Sequence, residues 1–232
     1  MLINMKKQIE EYLKLVTLFK ANGFSLFLAG GTVRDFLLNL PLYDIDLVTE
    51  ASPSDIKSFL PQSDYTFSKY GVVKLEVKNI AKFDIVTFRK EYGYKDYRHP
   101  SKIKFIKDIK VDSKRRDFTI NAMYLDERFK LIDFYNGQQD LQDKIIRTVG
   151  KAYKRIKEDP LRILRALRFS LVYGFSLDDE LFKAIKKYSY LLEKINPEKI
   201  KEELRKIHNC DENIKVALFS DFGLKYLLDM LN

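Results

Sequence analysis

Two aspartates set two residues apart, Asp44 and Asp46, open the chemical reading of this chain. They lie in a short run, Tyr43 to Val48, whose alternation reads as a strand. Strand side chains alternate faces, so carboxylates at i and i+2 point the same way while Ile45 and Leu47 point into a core. Two carboxylates held side by side repel unless a cation neutralises them. Hard divalent ions such as Mg²⁺ take carboxylate oxygens. Upstream, Phe24 to Leu28 reads as a strand running into Gly30 and Gly31, then a helix opened by Thr32-Val33-Arg34-Asp35. Paired glycines let backbone approach a phosphate closely, and a helix N-terminus favours the anion. Arg34 can add a charge-assisted contact. The chemistry these parts suit is metal-assisted phosphoryl or nucleotidyl transfer.

Composition narrows the classes. The 232 residues suffice for one large domain or two small ones, and 46% apolar content is ample for a core. No run approaches the ~20 apolar residues that span a membrane. The N-terminus reads as an amphipathic helix, not a signal peptide. One cysteine, Cys210, excludes an intrachain disulfide; with only two histidines, a metal must be held by carboxylates. These features fit a cytoplasmic protein. The formal charge of +9 suits a polyanionic partner such as nucleic acid, or reflects a merely lysine-rich composition.

The elements that must position these groups follow from periodicity. Ile9, Tyr12, Leu13, Val16 and Phe19 form a helical stripe, ended at Asn22-Gly23. Arg34 to Asn39 is a short helix, and Ser52-Pro53-Ser54-Asp55 starts another. Two or three strands are expected, over Tyr65–Lys69, Val72–Lys78 and Lys82–Phe88, with a turn at Tyr70-Gly71. The stretch from Arg89 to Pro100, rich in Tyr, charge and Gly, reads as a long mobile loop. Phe118, Ala122 and Met123 can pack as one helical face, which puts Arg116 and Asp117 at the helix start, where the dipole favours the acid. Leu131-Ile132-Asp133 is a strand, Tyr135-Asn136-Gly137 a turn, and Gln138 to Lys144 a polar helix. Pro160 suits a first helical position, with Asp159 as its N-cap. In that helix Leu161, Leu164, Ala166, Leu167 and Leu171 bury one side, and Arg162, Arg165 and Phe169 share another face. A carboxylate and an arginine so aligned can read a base edge: the acid accepts from the exocyclic amine of C or A, and the arginine donates to a ring nitrogen or carbonyl. Asn196-Pro197-Glu198 starts a further helix with Ile200, Leu204 and Ile207 on one face.

GG-x-VRD followed by D-x-D resembles the nucleotidyltransferases with a polymerase-β-like core. More narrowly, the chain is similar to the class II tRNA nucleotidyltransferases (CCA-adding enzymes) and bacterial poly(A) polymerases. RRDFTINAM, EDPLRILRALRF and EKIKEELR resemble further motifs of that family, and the similarity runs from about Phe24 to Leu224. DFYNGQQDL departs from the family's DPFGG-x-x-DL, which weakens a hinge role there. The resemblance implies Asp44 and Asp46 as catalytic metal ligands for Mg²⁺, with Asp84 as a third carboxylate. Glu76 competes for that place, and either acid could instead pair with a lysine. It implies nucleotide binding by Gly30, Gly31, Arg34, Arg116, Asp117, Asn121, Asp159, Arg162 and Arg165. The Arg116-Asp117 pair would address ribose and phosphates; Asn121 could equally cap or pin backbone. Asp159 and Arg162 would act as a protein template for CTP and ATP, excluding G and U. The loop, with Asp96 and Arg98 interacting, would serve addition of the terminal A.

The expected fold is an α/β head with a polymerase-β-like mixed sheet, followed by an all-α neck. The expected domains are a catalytic head over 1–135, a helical neck for base recognition over 136–196, and the start of a truncated helical body over 197–232. The implied substrates are CTP, ATP and tRNA, held at its 3′ end and acceptor stem, with no membrane. A partner chain or self-association would replace the body and tail that family members carry. Two other readings stay open. One is a poly(A) polymerase, although AKFDIVTFR stands where those relatives carry a GRRFxLxHV-like stretch. The other is a non-catalytic RNA-binding module, against which both D-x-D carboxylates argue.

Overall fold

The structure, a computed structural model, describes residues 2–94, 100–208 and 210–231. It divides into two compact units. The first comprises Met1–Glu91, Lys102–Arg116 and Ile120–Gly137; the second comprises Tyr92–Ser101, Asp117–Thr119 and Gln138–Asn232. Among the described residues no helix is long and apolar enough to cross a membrane.

The first unit opens with α1 (Leu2–Ala21). Its buried stripe is Gln8, Tyr12, Leu15, Val16 and Phe19, spaced at the 3.6-residue period. Leu15 replaces the expected Leu13, which is exposed because it sits one residue off that stripe. A mixed sheet follows, in the order β3-β4-β2-β1-β7-β8. β1 (Phe27–Ala29) runs straight into α2 (Gly30–Leu37), so the helix begins at the glycine pair itself. β2 (Asp44–Thr49) leads through α3 (Pro53–Phe59), which a Ser52/Asp55 capping box starts, to β3 (Val72–Val77) and β4 (Ala81–Thr87). β2 and β4 pair in parallel; the other neighbours in this sheet are antiparallel. Ile45, Leu47, Phe83 and Ile85 are buried on one face of the sheet, and Ala29, Val48, Phe88 and Tyr124 form a core on the other.

Three expectations fail here. Tyr65–Lys69 is not a strand: Asp64 makes only an isolated bridge to Lys74 and turns the chain by accepting from Thr66, and a 3₁₀ turn covers Ser68–Tyr70. The expected loop from Arg89 is a ribbon of β5 (Arg89–Tyr94) and β6 (Pro100–Phe105). Tyr and charge can alternate on a strand without an apolar face, which hides it from a hydrophobic pattern. Asp96 and Arg98 lie outside the described residues. After α4 (Ile109–Ser113), the expected helix over Phe118–Met123 is one 3₁₀ turn, Thr119–Asn121, and then β7 (Met123–Leu125), which pairs with β1 and with β8 (Leu131–Asp133). The run from Phe118 to Leu125 is buried throughout, as a central strand requires, so the helical spacing of its apolar residues is incidental.

The second unit is helical. Its elements are α5 (Gly137–Gln142), β9 (Ile145–Ile146), α6 (Ala152–Glu158), α7 (Leu161–Tyr173), β10 (Ser176–Leu177), α8 (Asp179–Tyr188), α9 (Pro197–Leu204) and α10 (Glu212–Asp221). The two short strands pair in parallel. Asp178 and Asn196 cap α8 and α9 through their side chains. α7 is central: Ile163, Leu164, Ala166, Leu167 and Phe169 are all buried. Phe169 is buried in that core, with the guanidinium carbons of Arg165 and Arg168 over its ring at 5.7 and 4.4 Å. Leu171, expected inside, is half-buried.

Candidate active site

In the first unit, α2 and β2 are tied together by Thr32. Its hydroxyl accepts the Asp46 N–H at 2.8 Å and donates to the Asp44 carbonyl at 3.4 Å. This hydroxyl sets how the glycine turn meets the acidic strand, and the sequence reading passed over it. Gly30 has φ +64°, and a Cβ there would meet Arg116 Nη1 at 3.0 Å and Asp46 Oδ2 at 3.2 Å. A side chain at this position would be strained in its backbone and crowded by the site. At Gly31 a Cβ would stand 3.5 Å from Arg34 Nη2, an ordinary contact, so Gly30 is the position where the turn requires glycine.

Asp44 is exposed and Asp46 half-buried on the same face of β2. The parallel register places Asp84 of β4 directly opposite Asp46. Lys74, opposite Asp84 on β3, bonds it at 3.2 Å, so the lysine-pairing reading of Asp84 holds in this state. Glu76 lies opposite Lys82, which is itself opposite Asp44. A cavity of about 550 Å³ is lined by Asp44, Gln62, Asp64, Lys74, Lys82 and Asp84, among others. Burial, and then Asp84 and Asp44, push the Asp46 carboxyl above its ordinary range, against the pull of Arg116 and Arg34. Among the described residues no three Asp, Glu, His or Cys side chains form a cage sufficient for a metal ion. Two same-face carboxylates under mutual repulsion nevertheless suit Mg²⁺, which takes one or two carboxylates and completes its shell with water and substrate phosphates.

The cationic side of this unit is pinned by hydrogen bonds. Arg34 Nη1 donates to Asn121 Oδ1 at 2.7 Å, and its other nitrogens hold Asp35 at 2.9 Å. Arg116 Nε donates to the Tyr124 hydroxyl at 3.0 Å, with its guanidinium carbon 4.9 Å from that ring's centre. Arg116 Nη1 donates to the Asn121 carbonyl at 3.4 Å. Asn121 thus pins two arginines, one through its side chain and one through its backbone. Behind them lies fully buried Asp112, which accepts from the Arg89 amide at 3.0 Å, Arg115 Nε at 2.9 Å and Tyr124 at 3.2 Å. Burial alone would raise the Asp112 carboxyl; Arg115, Arg116 and the Arg89 amide outweigh it and hold it below its usual range. Burial pushes the Tyr124 hydroxyl up to about 12, so it stays a neutral donor to that acid. Asp112 and Tyr124 escaped the sequence reading. The available signal was Asp112 spaced i+3 and i+4 from Arg115 and Arg116.

The second unit gathers the remaining residues. Arg165 Nε donates to Asp117 Oδ2 at 2.7 Å, and its Nη2 reaches the same oxygen. Asp117 does not start a helix; its other oxygen accepts the Phe118 amide at 2.8 Å. Arg165 holds its proton more firmly than usual: burial opposes this, and Asp117 and Glu203 outweigh it. Buried Glu203 of α9 also holds Arg168 at 3.1 Å and Lys206 at 2.6 Å. At the junction of α6 and α7, Pro160 is the N-cap of α7, one position later than expected, and Asp159 ends α6 while its side chain accepts the Leu161 amide at 3.1 Å. Arg162 is buried, not on an open face; its Nη1 donates to the Arg155 carbonyl at 2.7 Å and lies 3.5 Å from Glu158, which also pairs with Arg155. The sites therefore form two clusters. Gly30, Gly31, Arg34, Asp44, Asp46, Asp84, Arg116 and Asn121 belong to the first unit, and Asp117, Asp159, Arg162 and Arg165 to the second.

Comparison with known proteins identifies the family. The family model "Poly A polymerase head domain" matches residues 26–147, and "Probable RNA and SrmB-binding site of polymerase A" matches residues 174–228. A CCA-adding enzyme of Streptococcus uberis is 40% identical over 206 residues, covering 89% of this chain and 51% of the relative. That of Ligilactobacillus salivarius is 39% identical over 204 residues, covering 88% and 50%. The chain spans about half the length of the curated relatives it matches. Among solved structures, the Bacillus stearothermophilus CCA-adding enzyme in complex with CTP superimposes with a TM-score of 0.84 at 33% identity, covering 94% of this chain and 53% of that one. The Thermotoga maritima CCA-adding enzyme complexed with tRNA gives 0.72 at 28% identity, covering 94% and 52%.

Proposed function

The chain belongs to the poly(A) polymerase head-domain family, and we propose that it is a template-independent RNA nucleotidyltransferase adding C and/or A (CCA) to tRNA 3′ ends from CTP and ATP, with release of pyrophosphate. The observation that carries this reading is the acidic face: Asp44 and Asp46 on β2, with Asp84 in register on β4, against a turn whose Gly30 has a left-handed backbone and a crowded Cβ position. The relatives named as CCA-adding enzymes, some solved with CTP or tRNA, support the choice of substrates.

In this reading residues 1–135 form the catalytic head, 136–196 a base-reading neck and 197–232 the start of a helical body, in a protein of the cytoplasm. Asp44 and Asp46 would hold Mg²⁺, which when bound supplies charge neutralisation at the triphosphate and lowers the pKa of the attacking 3′-hydroxyl. Asp84 adds negative charge opposite Asp46 and so strengthens the hold on the cation. Gly30 and Gly31 admit the phosphates close to backbone, and Arg34 and Arg116, fixed by Asn121, offset their charge without having to reorganise. Asp117, oriented by Arg165, accepts from the ribose. Asp159 and Arg162 select C and A through complementary donors and acceptors. The segment from Arg89 to Pro100, with Asp96 and Arg98, serves the final A.

The test is incubation with Mg²⁺, one nucleoside triphosphate at a time, and tRNAs ending before C, after C or after CC. The expected result is C incorporated on the first two and A on the third, with UTP and GTP refused. Long A tracts on any RNA would instead make the chain a poly(A) polymerase, and no extension at all would leave the scaffold without this activity.

A further inference from the structure

We infer that Asp112 is a positioning residue for the transfer, holding Arg116 at the glycine turn through the Tyr124 hydroxyl. This rests on the transferase reading and deepens it by naming what sets one of its cationic groups. All three residues belong to the first unit. Arg116 Nη1 and Asp46 Oδ2 stand 3.0 and 3.2 Å from where a Gly30 Cβ would be, so the guanidinium already faces the acidic strand. Tyr124 lies on β7 opposite Ala29 of β1, the residue that leads into that turn. Its ring is fully buried in the core with Ala29, Val48 and Phe88. Arg116 lies over this ring at 4.9 Å and donates Nε to its hydroxyl at 3.0 Å. The hydroxyl donates in turn to Asp112 Oδ2 at 3.2 Å, and that oxygen is 3.6 Å from Arg116 Nη2.

A tyrosine hydroxyl has one proton to give and lone pairs to receive with. Asp112, an acceptor only, takes the proton, so the oxygen turns its lone pairs to Arg116 Nε. The carboxylate is itself held from turning: its other oxygen accepts the Arg89 amide at 3.0 Å and Arg115 Nε at 2.9 Å. At 0% exposure its bonds act in a low dielectric, where they are strong. Asparagine could not take its place. In one orientation its NH₂ would meet the Arg89 and Arg115 donors; in the other it would donate to Tyr124 and turn the hydroxyl proton on Arg116. Because Arg89 is the first residue of β5, the same carboxylate also ties the root of the ribbon to Arg116. An arginine fixed in advance stabilises charge developing on phosphates without reorganising during the reaction.

Tyr124→Phe tests this, because it removes the hydroxyl and leaves the ring under Arg116. Single-turnover primer extension with Mg²⁺, and calorimetric affinity for CTP and for ATP, are measured in the parent, Tyr124→Phe, Arg116→Met and the double variant. Tyr124→Phe should slow extension about tenfold but weaken nucleotide binding only about threefold, since the arginine is misaimed rather than removed. In the Arg116→Met background the same change should bring no further loss in either quantity, there being no guanidinium left to aim. Melting of Tyr124→Phe should fall by only a few degrees. Asp112→Asn should slow extension at least as much and melt lower still, so the Tyr124 cycle decides between aim and stability. Losses of equal size in both backgrounds would make Tyr124 a packing residue and overturn the assignment, as would a Tyr124→Phe protein that matches the parent. Extension in the parent with equal losses refutes the positioning role alone. Nucleotide binding with the coupled loss, but no extension in the parent, refutes the transferase reading alone; a parent that binds neither nucleotide overturns both.

Discussion

Asp46 lies at the meeting point of opposed demands. Its charge is penalised by burial and by two neighbouring carboxylates, yet transfer needs that charge. Asp46→Asn should lower single-turnover transfer roughly 10³-fold, the several kcal/mol of a lost metal ligand. In Mg²⁺-free buffer at neutral pH the same variant should melt no lower than the parent, because a carboxyl with a raised folded pKa opposes folding once ionised. A large fall in melting temperature would make Asp46 a structural residue. Asp117→Asn removes an Arg165 bridge and the acceptor proposed for the ribose. CTP should then bind about tenfold more weakly, and discrimination against dCTP should shrink; intact discrimination would leave Asp117 with a packing role only. The acids on β2 were legible because a period of two has one meaning on a strand. Asp112 was not, since its spacing to Arg115 and Arg116 was its one mark in the sequence, and the Arg89 amide and Tyr124 come to it from distant parts of the chain.

At the scale of elements, Glu203 of α9 joins α7 by holding Arg168, while Lys206, just past the end of α9, holds the same carboxylate. Burial raises this carboxyl, but Lys206, Arg165 and Arg168 outweigh it, and its folded pKa falls below the ordinary value. Its stabilising effect is therefore complete above the unfolded pKa of about 4.3 and is lost as pH drops through the folded value. Glu203→Gln should cost about 1–3 kcal/mol in urea unfolding at pH 7, and the two stability curves should converge in acid; a difference that persists below pH ~3 would point to packing rather than charge. The ribbon of β5 and β6 carries the second prediction at this scale. Shortening the chain between β5 and β6 should spare C addition and suppress the final A, whereas equal loss of both steps would reveal a general role. The ribbon was misread because neither of its faces is apolar, and β7 because a fully buried strand shows no alternation. The Asp44–Asp46 strand and α7, by contrast, could be read in advance, each having one clearly apolar side.

For the whole molecule, the formal charge of +9 predicts that the proposed tRNA substrate binds as a polyanion before it is read as a sequence. Elongator tRNAs that differ in anticodon and acceptor sequence should bind this chain within about threefold of one another at fixed salt; a preference of tenfold or more would demand base contacts that the basic surface does not supply.

The parallel register of β2 and β4 has a consequence in time. Asp46 and Asp84 are neighbours in space, but α3 and β3 lie between them in the chain. Parallel neighbours cannot be joined by a tight turn, and non-local pairing forms slowly compared with helices. A chain still being synthesised, with β4 not yet emerged, would hold Asp44 and Asp46 without their partner across the sheet. Transfer activity should therefore appear late in refolding, after helical signal has recovered, and the acidic face would report that the central sheet has closed.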